Sequence, residues 1–161
     1  MDSDERIKVH LLSIWREEKK LFAKSKECML FLTDKHIMFV SKTEAKMQWW
    51  KSAVQRQILT LMKSPSTLLT HDGYGEADLK RDLENEKNDV FLLDDVISAE
   101  SEEKAWGTVL KLKLRDGEKE RKFQLSVARD WVTYPMRDPV KFLKVDWSPV
   151  IEIIQSKRAA N

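Results

Sequence analysis

The sequence predicts an α+β fold, mainly β and antiparallel, with a helical insertion between strands and a helix near the C-terminal end. Three observations carry this. Residues 28–32 and 37–40 are short apolar runs split by Thr33-Asp34-Lys35-His36, the pattern of a buried β-hairpin. Residues 108–127 alternate apolar and polar around Asp116-Gly117, a dipeptide that supplies the positive φ of a tight turn. Between these blocks, residues 44–88 change to helical spacing.

Each element follows from its pattern. Ile7, Leu11, Ile14 and Trp15 recur at roughly helical spacing and predict a short helix over 6–15, while Val9 and Leu11 also alternate and keep an extended reading open. Residues 17–20 read as a charged turn, and 21–24 as the start of a strand leading into the hairpin. Met47, Trp50, Val54, Ile58, Leu61 and Met62 recur every three or four residues, an amphipathic helix over 45–63. Ser64-Pro65-Ser66 ends it, because proline lacks the N–H donor and restricts the residue before it. Residues 70–75 form a loop, and 76–87 a short, mostly exposed helix with Leu79 and Leu83 one turn apart. Strands over 90–93 and 96–100 flank a turn at Asp94-Asp95. Leu110, Leu112 and Leu114 share one strand face, and Arg121, Phe123, Leu125 and Val127 share one on the return strand. Asp138-Pro139 and Ser148-Pro149 read as helix starts for 140–144 and 150–157. In the second helix Lys157 and Arg158 suit the C-terminal dipole.

A chain of 161 residues predicts one domain, with the helical insertion at about 44–88. Lysine plus arginine number 29 against 27 acidic residues, a net charge of +2, which makes nucleic acid an unexpected partner. The single cysteine, Cys28, allows no internal disulfide and lies in an apolar run, so a buried, inert thiol is expected. The N-terminus is acidic, and no run reaches the roughly 20 apolar residues of a membrane span. A soluble cytoplasmic protein is expected, with peripheral membrane association as the alternative.

Catalytic patterns are weak, and neither a catalytic residue, a metal nor a cofactor is expected. His10, His36 and His71 are scattered among unrelated segments, and His36 and His71 read as solvated. His71, Asp72 and Glu76 have no familiar metal-ligand spacing, and Asp94 and Asp95 should point to opposite faces of a strand. P-loop, dinucleotide and nucleophile-elbow motifs are missing. A small metal-dependent or acid–base enzyme using the 70–76 loop is the distant alternative.

The segment with functional colour is Lys46, Trp49, Trp50, Lys51 and Arg56. Trp50 aligns with Met47 and Val54, while Trp49 flanks that stripe about 100° away. The helix could pack on the sheet, anchor a protein partner through tryptophan, or lie at an anionic membrane surface with its lysines facing lipid. Lys111, Lys113 and Lys122 should form a solvated strand face.

The chain resembles the pleckstrin-homology (PH) superfold, in particular its GRAM and bacterial PH-like branches. The hairpin Leu30-Phe31-Leu32-Thr33-Asp34-Lys35-His36-Ile37-Met38-Phe39-Val40 is similar to the GRAM pattern L-x-L-T-D-x-x-L-x-F. Residues 91–100, FLLDDVISAE, are similar to its following strand pair, and residues 42–89 have no counterpart. The resemblance implies a partly open antiparallel barrel or sandwich capped by the C-terminal helix. It implies a non-enzymatic binding module for a protein partner or a second copy, with an anionic membrane as the alternative ligand. Of the family's basic cluster around the first strand–strand loop, Lys24 and Lys26 match and would be the lipid-headgroup residues, with Glu27 beside them. The tryptophan usual within the capping helix is missing, and Trp147 stands just before it.

Overall fold

The structure, a computed structural model, describes residues 1–20, 24–47, 50–130 and 139–159. Among them, seven strands form one antiparallel sheet: β1 (Val9–Glu18), β2 (Lys24–Leu32), β3 (His36–Val40), β4 (Asp89–Leu92), β5 (Val96–Lys104), β6 (Gly107–Asp116) and β7 (Lys119–Val127). Helices α1 (Trp50–Lys63) and α2 (Glu76–Asp82) connect β3 to β4, and α3 (Ser148–Ala159) closes the chain. The strand order is β4-β3-β2-β1-β7-β6-β5, with β1 paired to both β2 and β7. This is the expected mainly-β α+β class. The hairpin over β2 and β3 forms as its apolar runs require, and Gly117 takes the positive φ, 64°, that the β6–β7 turn needs.

The helix expected over 6–15 is a strand instead. Leu11 pairs with Leu30 but Ile14 pairs with Cys28, so β1 carries one extra residue at Leu12-Ser13. That bulge explains the misleading spacing. Leu11 and Ile14 both enter the inner core although they are three residues apart, which a regular strand does not allow. Residues 9–14 are also buried throughout, which erases the alternation a half-exposed strand would show.

Two cores lie on the two faces of the sheet. The inner one gathers Ile14, Leu30, Phe39, Leu112, Phe123, Leu125 and their neighbours, with Trp147, Val150 and Ile154 of the C-terminal segment packed among them. The Trp147 indole donates to the Thr108 carbonyl at 3.1 Å, which meets the polar requirement of a fully buried tryptophan. The outer core places Leu12, Met29, Phe31, Met38 and Val40 beneath Met47, Ala53, Val54, Tyr74 and Leu79 of the insertion. The insertion therefore covers one half of the sheet and is part of the packed structure.

Two helical boundaries differ from the sequence reading. α1 is described from Trp50, and residues 45–47 are not helical because this stretch makes tertiary contacts: Glu44 N–H donates to Asp82 and the Met47 side chain is buried in the outer core. α2 ends at Asp82 and buries Leu79 and Asp82, so it is shorter and less exposed than the pattern over 76–87 suggested. The helix expected over 140–144 does not form. There Leu143 N–H donates to the Val127 carbonyl, Thr108 N–H donates to the Leu143 carbonyl, and Leu143, Val145 and Trp147 are buried at alternate positions. Asp138, read as that helix's cap, and residues 21–23 lie outside the described residues.

Candidate functional site

The insertion is fixed to the sheet by buried polar side chains. Gln57 sits on the apolar stripe of α1 and turns its carboxamide to the β1 bulge. Its Oε1 accepts from Leu12 N–H and its Nε2 donates to the Leu12 carbonyl, both at 2.8 Å, which satisfies the peptide that the bulge leaves unpaired. His71 Nε2 donates to the same Oε1 at 2.9 Å. Asp82 is a second junction, accepting from the Thr43 hydroxyl at 2.6 Å, the Tyr74 hydroxyl at 2.5 Å and Glu44 N–H at 3.1 Å. Burial and this carboxylate hold the Tyr74 phenol protonated, far above its usual range. Asn88 clasps the two ends of the insertion, accepting from Ser41 and Lys42 N–H and donating to the Lys42 and Asp82 carbonyls.

The three histidines are less separate than their sequence positions imply. His10 is buried, stacks on Phe31 at 4.2 Å, and lies 5.1 Å from both His71 and Tyr74 by ring centroids. Burial first, then the neighbouring His71, lowers its pKa to about 3. Burial also lowers that of His71, with Arg56 adding to the effect. His36 is partly buried, its Nδ1 2.9 Å from the buried Glu5 carboxylate, and neither it nor His71 is a solvated loop residue. Their roles are packing and hydrogen bonding. The ligand set drawn from His71 and Glu76 is taken apart, since Glu76 accepts from Ile7 N–H while His71 serves Gln57. Among the described residues no group of three His, Cys, Asp or Glu side chains is placed to hold a metal. Cys28 is buried, and burial pushes its thiol up to about 12.

Beside the bulge, where α1 starts, a groove of about 240 Å³ opens. Leu12, Met29, Val40 and Trp50 provide apolar lining, and Ser13, Glu27, Ser41 and Thr43 provide polar groups. Ser13 Oγ and Glu27 Oε2 are buried without a hydrogen-bond partner, and Ser13 holds a φ of 52°. Burial raises the Glu27 carboxyl above its ordinary range. Among the described residues singled out from the sequence, Trp50 lines this groove; it is half-buried on the stripe that faces the outer core. Lys46, Lys51 and Arg56 are exposed, Lys46 preceding the helix, and Trp49 lies outside the described residues.

The end of the inner core near the β6–β7 turn is closed by arginines. Arg16 lies 4.7 Å and 4.8 Å from the Phe39 and Phe123 ring centroids and 2.9 Å from Asp89 Oδ2. Arg121 forks onto Glu18 at 2.8 and 3.1 Å and reaches Asp116. Lys26 is exposed on β2 opposite Arg16, and Lys24 begins the same strand. Lys111 and Lys113 pair with Glu102 and Glu120, which balances much of the outward basic face of β6.

Ser13 and Gln57 have no place in the sequence reading, and Glu27 enters it only as the neighbour of Lys24 and Lys26. Gln57 had a visible signal, being a polar residue between Val54 and Leu61 on an apolar stripe. Ser13 and Glu27 had none, because the bulge that brings them to one groove depends on pairing between distant strands. The chain matches no known protein family, no curated protein and no solved structure.

Proposed function

We propose that this chain is a PH-like, non-enzymatic binding module that engages a protein partner through the groove at the start of α1. Two antiparallel meanders, β1–β4 and β5–β7, joined where β1 pairs with β7 and followed by a helix packed into the inner core, suit the arrangement expected of that superfold. The observation that carries the binding reading is the groove itself, a mostly apolar recess with two buried polar atoms that the chain leaves unpaired. Recesses of this composition, apolar walls with a few fixed polar groups, are what recognition sites use. A photo-crosslinking residue placed at Thr43, which is exposed at the rim, tests it. In native extract it should yield discrete protein adducts that the same residue at Glu118, in the β6–β7 turn, does not give. Equal labelling from both positions overturns the reading.

A membrane-peripheral module is the second reading, favoured by the outward face of α1. Leu59 and Met62 are 59% and 65% exposed, and Arg56 and Lys63 share their face. Apolar residues flanked by cations suit the boundary of an anionic bilayer. Salt-sensitive co-sedimentation with anionic vesicles, lost in a Leu59→Ser/Met62→Ser variant, would support it, and no sedimentation at low salt removes it.

A further inference from the structure

The groove contains a coincidence of costs. A buried polar atom without a partner costs about 1–3 kcal/mol, and the groove has two of them, Ser13 Oγ and Glu27 Oε2. A non-glycine residue in the left-handed region costs a further 1–3 kcal/mol or so, and Ser13 is the one described non-glycine residue with positive φ. Ser13 is also 5% exposed, so water reaches its hydroxyl poorly. Unpaired buried atoms in native proteins call for an explanation, and strain that collects beside them points toward function.

The occupant's chemistry follows from the walls. At about 240 Å³ the recess lies below the size range of cofactor and drug-sized sites and is on the scale of a single long side chain. Leu12, Met29, Val40 and Trp50 require an apolar stem. Ser13 Oγ and Glu27 Oε2 call for hydrogen-bond donors, and a buried carboxylate oxygen without a partner favours a donor that carries positive charge. Among the described residues no cation offsets the burial of Glu27. Lysine meets all three requirements: a four-carbon stem, three N–H donors and a single compact charge. An ammonium ion also gains from an aromatic wall such as Trp50.

Resting on the protein-binding reading above, we propose that the groove receives a lysine side chain presented by a segment of another protein, with Glu27 and Ser13 as acceptors. The test uses ¹⁵N-labelled full chain titrated with acetyl-Gly-Gly-Lys-Gly-Gly-amide and with the same peptide carrying norleucine, an uncharged isostere of the lysine stem. The lysine peptide should produce saturating shifts at the amides of Ser13, Glu27, Ser41 and Thr43 and at the Trp50 indole. The norleucine peptide should bind at least tenfold more weakly. Glu27→Gln should bring the lysine peptide down to the norleucine level while resonances outside the groove stay in place. Ser13→Gly, which relieves the positive φ and removes the hydroxyl, should fold and also weaken lysine binding. Equal binding of both peptides overturns the lysine assignment and leaves the protein-binding groove standing. Silence from both peptides, with crosslinks still formed from Thr43, likewise overturns the lysine assignment alone; silence together with the loss of those crosslinks removes both. A concentration-dependent dimer by light scattering, disrupted by Glu27→Gln, replaces the foreign partner with a second copy.

Discussion

The Gln57 carboxamide holds both the N–H and the carbonyl of Leu12, each at 2.8 Å, across 45 residues of sequence. One side chain thereby satisfies the peptide that the β1 bulge removes from the sheet ladder and pins α1 above it. Gln57→Ala leaves both groups buried and unpaired, which should cost about 2–4 kcal/mol. Urea denaturation of the variant checks this, and a loss below about 1 kcal/mol would show that water replaces the amide.

The Arg16–Asp89 pair is asymmetric, with Arg16 7% exposed and Asp89 26% exposed. Removing the aspartate strands a buried cation, whereas removing the arginine leaves a carboxylate that can turn to water. Asp89→Ala should therefore cost about 3 kcal/mol and Arg16→Met about 1 kcal/mol. Equal losses in chemical denaturation would contradict the difference in burial.

Acid should weaken the fold through its buried histidines. His10 titrates near 3 in the fold against 6.5 when free, and the His71 shift has the same sign. Below pH 6.5 the unfolded chain takes up protons that the folded chain refuses, so stability is present above that pH and falls as pH drops toward 3. Between pH 6.5 and 5 the loss from His10 should be about 1.5 kcal/mol. The depressed carboxyls of Glu5 and Glu18 add their losses only at lower pH, because their ordinary value is 4.5. His10→Leu should flatten the curve of unfolding free energy between pH 5 and 6.5.

Glu27→Gln should raise stability at neutral pH by on the order of 1 kcal/mol, because it removes a charge that burial disfavours and no partner compensates. At pH 4 the gain should shrink as the wild-type carboxyl protonates. Thermal unfolding at the two pH values reads the difference, and a gain that does not depend on pH would point away from the charge.

Gly107 marks where residues 141–145 lie against β6. A Cβ there would meet Phe142 Cβ at 2.9 Å and the Leu143 carbonyl oxygen at 3.1 Å, neither at the end of a flexible side chain. Gly107→Ala should cost about 1–3 kcal/mol, with amides of 142–145 losing hydrogen-exchange protection first.

Much of this fold is legible in the sequence where one face of a strand is wet. Leu110, Leu112 and Leu114 alternate with lysines, and the strand they predict is β6. Where both faces are dry, the signal fails. β1 is covered by the inner core on one side and by the insertion on the other, so its apolar residues run together and its bulge imitates a helical step. Leu143, Val145 and Trp147 alternate in the sequence and are buried in the structure, a pattern that the helix start read at Asp138-Pro139 leaves unused. Trp50, singled out from its helical spacing, lines the groove. The polar atoms that distinguish the groove are contributed by β1 and β2, and only folding brings them beside it.

The bulge at Leu12-Ser13 acts as a phase dislocation in the sheet. Before it, odd-numbered residues such as Val9 and Leu11 look inward; after it, even-numbered ones such as Ile14 do. Deleting one of these two residues would restore the two-residue step of a regular strand, keeping Leu11 and Ile14 both inward but removing the kink that turns the Leu12 peptide groups to Gln57 and gives Ser13 its positive φ. The extra residue is thus dispensable for the facing of the strand and indispensable for the groove, whose polar end it creates.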